Sequence, residues 1–105
     1  MFRNAFVMTV YPQYYEEYEK RHAELWPAME EAIKAHGAHS YSIFLHPATG
    51  QLFAYLEIND EQLWDALAST EICRQWWAYM APLMETHANN QPVSIDLKQV
   101  FHLSR

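Results

Sequence analysis

Six histidines, seven tyrosines and four tryptophans are the side chains in this 105-residue chain with the most chemistry to offer. Spacing singles out one histidine. His22 falls on a stripe with Tyr18, Leu25, Trp26, Met29 and Ile33, at steps of three and four, where a purely structural helix would carry leucine. An imidazole with an ordinary pKa of about 6.5 exchanges protons at neutral pH. Tyr18, one turn earlier, adds a hydroxyl to the same face, and Pro27 interrupts the helix just beyond. A histidine on an apolar stripe can also be purely structural, bonded to a backbone carbonyl, so both roles stand at this point. The remaining five are less informative. His36 sits at a helix end, His39 and His46 share a strand, and His87 and His102 lie towards the C-terminus. No HxxxH, HExxH or CxxC spacing occurs and Cys73 is alone, so no metal site is expected.

The pair Trp76-Trp77 is the second signal. Adjacent helical residues point about 100° apart, so one ring can pack inward while the other faces elsewhere. Such rings serve equally as core and as an aromatic wall with indole N–H donors, suited to the apolar face and hydroxyl edge of a sugar. Tyr41, on a strand, can add a hydroxyl from the sheet side. Glu57 and Asp96 are strand carboxylates without an evident partner, so the paired acids of a glycosidase are missing. There is no Ser/His/Asp arrangement or nucleophile elbow. With 2 glycines there is no phosphate-cradling loop.

The elements that must position these groups follow from hydrophobic periodicity. Residues 3–10 alternate as a strand ended by Pro12. Residues 14–36 carry the helical stripe, with a break expected near 22–26 because Pro27 removes a backbone donor, and Gly37 as the stop. Residues 38–46 and 51–58 alternate on either side of Pro47-Ala48-Thr49-Gly50, a hairpin pattern. Asn59 or Asp60 can cap a helix bearing Leu63, Trp64 and Leu67. Thr70 starts another, ending at Pro82. Residues 83–92 read as a loop and Val93 to Phe101 as a last strand. This β-α-β-β-α-β order predicts one α+β domain over residues 1–105: a ferredoxin-like antiparallel sheet with the helices on one face. The other face is too apolar for water, which predicts a homodimer of the dimeric α+β barrel type.

Composition narrows the function. Apolar residues make up 50% of the chain and charged ones 19%, which excludes disorder. The net charge of −6 and the scattered basic residues argue against nucleic-acid binding. No apolar run approaches a membrane span and the first 13 residues lack a signal-peptide core. A single cysteine fits no disulfide scaffold. A cytoplasmic protein is expected.

Several stretches resemble the L-rhamnose mutarotase family: Arg3-Asn4-Ala5-Phe6-Val7-Met8, Tyr18-Glu19-Lys20-Arg21-His22 with Trp26-Pro27, His36-Gly37-Ala38-His39, and Ala68-Ser69-Thr70 followed by Cys73-Arg74-Gln75-Trp76-Trp77. The tail Pro92-Val93-Ser94 with Val100-Phe101 fits as well. The family's RWW-type segment occurs here with Gln75 interposed. The resemblance implies a ferredoxin-like homodimer that interconverts the α and β anomers of L-rhamnose without a cofactor. It implies His22 as proton donor and Tyr18, Tyr41, Trp76 and Trp77 as sugar contacts. Ring opening needs a proton delivered to the ring oxygen while another leaves the C1 hydroxyl. His22 is expected to supply and retake the first, with Tyr18 orienting a hydroxyl or relaying a proton; the residues do not identify the complementary base. A non-catalytic ligand-binding module and a cofactor-free monooxygenase on the same scaffold are the alternatives, because fold alone does not decide function.

Overall fold

The computed structural model describes all 105 residues. Strand β1 (Phe2–Thr9) is followed by helices α1 (Tyr15–Ala23) and α2 (Pro27–Ala35), the hairpin β2 (Ala38–His46) and β3 (Gln51–Ile58), helices α3 (Glu61–Asp65) and α4 (Glu71–Met80), and β4 (Ile95–Leu97). The strands form one antiparallel sheet in the order β2-β3-β1-β4, the ferredoxin-like α+β topology, with each of its two helical connections split in two.

Local chemistry accounts for the splits. Pro27 occupies the first position of α2, where its missing N–H costs nothing, so the helical stripe breaks over residues 24–26. In the second connection, the Asp60 carboxylate accepts from the backbone N–H groups of Gln62 (2.8 Å) and Leu63 (3.2 Å). The Thr70 hydroxyl accepts from Cys73 N–H at 3.3 Å to start α4. Gly50 closes the β2–β3 hairpin at φ +79°, and a Cβ there would lie 2.7 Å from the Val10 carbonyl oxygen, so only glycine fits.

One expectation needs correction. The last strand is Ile95–Leu97, not Val93–Phe101. It pairs only with Val7, Phe6 and Ala5, and the Val93 N–H is already donated to the Glu85 carbonyl. Beyond Leu97 the tail has no ladder partner, and Val100, Phe101 and Leu103 are at least 77% exposed. Residues 84–92 form no helix or strand, as expected of a loop, yet they are fastened down. Val10 bridges Met84 and Thr86 bridges Pro92, Leu83 and Met84 are buried, and a turn from His87 to Gln91 places Asn90 at φ +73°, a conformation asparagine tolerates.

Strand parity divides the sheet into two faces. Met8, Leu52 and Ala54 face the helices and join Tyr18, Met29, Trp76 and Met80 in the core. On the opposite face Phe44, Phe53, Val7 and Ile95 stand side by side across all four strands. Phe44 and Ile95 are each 65% exposed and Phe53 is also exposed, while Val7 between Phe53 and Ile95 is buried, so a lone chain leaves three of the four apolar side chains in water. No helix is long and apolar enough to cross a membrane.

Candidate active-site cleft

Between the sheet and the helices lies a cleft of about 1260 Å³. Tyr18, His22, Tyr41, Trp76 and Trp77 all line it, so the five residues singled out from the sequence meet at one place. None of the other histidines except His39 borders it.

His22 sits in the last turn of α1, where its Nδ1–H donates to the Tyr18 carbonyl four residues back, at 3.0 Å. The structural role open to this histidine is therefore real, but it occupies only one ring nitrogen. Nδ1 carries the proton, and Nε2 makes no hydrogen bond within the chain. His36 makes the same bond to Ala32, at 2.7 Å, but does not border the cleft. Burial holds the His22 pKa below the usual 6.5, only partly opposed by the backbone hydrogen bond. The resting imidazole is neutral at pH 7.

Aromatic rings fix its orientation. Tyr18 lies against it with centroids 4.4 Å apart and planes 30° apart. Trp76 meets it at 5.5 Å, nearly perpendicular. Trp76 is only 7% exposed and is braced by Trp26 (5.1 Å) and Tyr79 (5.7 Å), so it supports His22 as much as it walls the cleft. Trp77 is half-buried. Arg21 clamps α1 to the end of α4. Its Nε donates to Glu17 at 2.6 Å, one of its terminal nitrogens to the Tyr79 carbonyl at 2.5 Å, and its guanidinium lies 4.0 Å over the Tyr79 ring. That clamp brings the His22 turn up to Trp76.

On the sheet side, Tyr41 packs edge-on against Trp64 (5.9 Å) and Phe6 (6.4 Å). The residue is 37% exposed, while desolvation of its hydroxyl pushes its pKa up to about 12, with buried Cys73 contributing. Burial also raises Tyr18, with a smaller contribution from Tyr41. Neither phenol ionises near neutrality, so both act as hydrogen-bonding hydroxyls. Phe6, Trp64 and the Arg21 clamp were not evident from sequence. Phe6 could have been found from strand parity, but its pairing with Tyr41 depends on sheet register.

The structure thus defines a ferredoxin-like protein with an aromatic cleft bordered by the neutral imidazole of His22. The sequence profile of the L-rhamnose mutarotase family matches residues 3–103, and the chain belongs to that family. It is 58% identical to an L-rhamnose mutarotase of Bacillus subtilis over 103 residues, 98% of this chain and 99% of the relative. The crystal structure of an L-rhamnose mutarotase from Formosa agariphila superposes with a TM-score of 0.92 at 36% identity, covering 99% of this chain and 100% of the other. An antibiotic biosynthesis monooxygenase superposes with a TM-score of 0.65 at 13% identity, covering 95% and 99%. That likeness is one of fold alone.

Proposed function

We propose that the protein is an isomerase that interconverts the α and β anomers of L-rhamnose, with His22 moving the proton. One observation carries the mechanism: His22 is held neutral, its Nδ1–H spent on the Tyr18 carbonyl, with Nε2 left as the exchanging atom. In the hemiacetal, the anomeric oxygen O1 and the ring oxygen O5 share carbon C1. Nε2 accepts the O1 proton as the C1–O1 bond becomes a carbonyl and the C1–O5 bond breaks. The imidazolium then returns that proton to O5. Rotation about C1–C2 and the reverse sequence close the ring on the other face. The proton count balances and no electron changes hands. One nitrogen serves both oxygens, which supplies the complementary base that the sequence left unnamed.

Tyr18 and Tyr41 hold sugar hydroxyls, and Trp77 with the exposed edge of Trp76 packs on the apolar face and C6 methyl. The depressed His22 pKa sets the pH dependence. Neutral imidazole is the starting form, so anomer exchange rises with pH through the folded pKa and reaches a plateau, with its midpoint below 6.5. Magnetisation transfer between the two anomeric proton signals, recorded from pH 4.5 to 8, tests this. A rate that falls as pH rises through this range would mean that the imidazolium starts the cycle.

We further propose that two copies pack sheet to sheet, covering the Phe44–Phe53–Val7–Ile95 row and the apolar tail. The exposed Phe44, Phe53 and Ile95 of that row support this reading. Sedimentation is expected to give twice the 12.4 kDa chain, and Phe44→Lys to give the chain mass. Persistence of the dimer in that variant would move the interface elsewhere. A cytoplasmic setting fits the single unpaired Cys73.

A further inference from the structure

The helix-facing side of the sheet is apolar almost throughout, with Phe6, Met8, Ile43, Leu45, Leu52, Ala54 and Leu56 along it. Asp96 departs from that pattern. It pairs directly with Phe6 across β1 and β4, and paired residues of antiparallel strands project to the same face. Phe6 packs on Tyr41, so this face is the floor of the cleft, and Asp96 borders it. Asp96 is the only carboxylate on the sheet floor, and Asn4, its diagonal neighbour on β1, is the only amide; both line the cleft. Asp96 forms no ion pair: those in the chain join Arg21 to Glu17 and Lys34 to Glu30.

We infer that Asp96, with Asn4 beside it, is the hydroxyl-holding end of the site. The Asp96 carboxylate accepts hydrogen bonds from sugar hydroxyls away from C1, while His22 addresses C1 from the helix side. This assignment rests on the sugar-isomerase reading above. Charge-assisted hydrogen bonds are the strong ones, and a contact to hydroxyls whose charge does not change during ring opening holds the ground and transition states alike, so its loss is expected in KM and not in kcat.

An inward charge on an edge strand can also serve only to keep that edge from pairing with other chains. Two substitutions separate the roles: Asp96→Asn removes the charge, and Asp96→Lys keeps an edge charge of the wrong sign for hydroxyl acceptance. Initial anomer-exchange rates over a range of L-rhamnose concentrations are expected to show KM raised roughly 10- to 100-fold in both variants, with kcat within about twofold of the parent protein. A KM unchanged in both folded variants, a KM restored by lysine, or a loss confined to kcat would each overturn the assignment while leaving the mutarotase reading intact. Absence of exchange in the unsubstituted protein would overturn both.

Discussion

Replacing His22 with alanine is expected to leave a folded protein that accelerates anomer exchange roughly 10²–10⁴-fold less than the parent. The size of the loss follows from the geometry. The phenols that share the cleft with His22 cannot take its place at neutral pH. The Tyr18 and Tyr41 hydroxyls are kept protonated by burial and offer no basic atom of comparable strength. The fold should tolerate the change, because His22 is only half-buried and its one internal hydrogen bond goes to a helical carbonyl. Magnetisation transfer measures the rate, and circular dichroism checks that the helices remain. Full activity in a folded His22→Ala protein would remove this imidazole from the mechanism.

Trp76→Ala is expected to act on stability first. The indole is almost fully buried among His22, Trp26 and Tyr79, and α4 packs through it onto the core. Deleting a buried tryptophan costs about 3–5 kcal/mol, a large share of the roughly 5–15 kcal/mol that holds a domain folded. For a chain of this size that lowers Tm by more than ~10 °C. The same deletion removes the ring that confines the imidazole, so exchange should fall even below the new Tm. Trp76→Phe should recover much of the stability and less of the activity. A Trp76→Ala protein melting within two or three degrees of the parent would mean that the ring is not a structural brace.

The parts of the fold legible in sequence are those set by neighbours along the chain. Strands β2 and β3 have the boundaries that alternation predicts, because Pro47 to Gly50 closes the hairpin locally. Pro27 broke the first helix where its missing donor required, and Asp60 and Thr70 cap α3 and α4 through their own side chains. What could not be read depends on contacts between distant segments. Alternation continues past Leu97, but a strand needs a partner as well as a pattern, and β1 supplies one for three residues only. Residues 83–92 look like a loop by composition yet are stitched to the end of β1.

The cleft follows the same division. Tyr18 and His22 share a helix face by spacing alone, so their proximity was readable. The tautomer of His22, the brace formed by Trp76 and the Arg21 clamp onto Tyr79 required the packing of α1 against α4. Asp96 was visible as an isolated strand carboxylate, but its place on the cleft floor depended on the register between β1 and β4.

A crystal structure of the protein with L-rhamnose bound is the most direct test of proton exchange at Nε2. It should show the sugar between the aromatic walls, with His22 Nε2 within about 3.2 Å of O1 or O5 and Nδ1 still on the Tyr18 carbonyl. A sugar seated with its anomeric carbon turned away from His22, or bound outside this cleft, would contradict the mechanism.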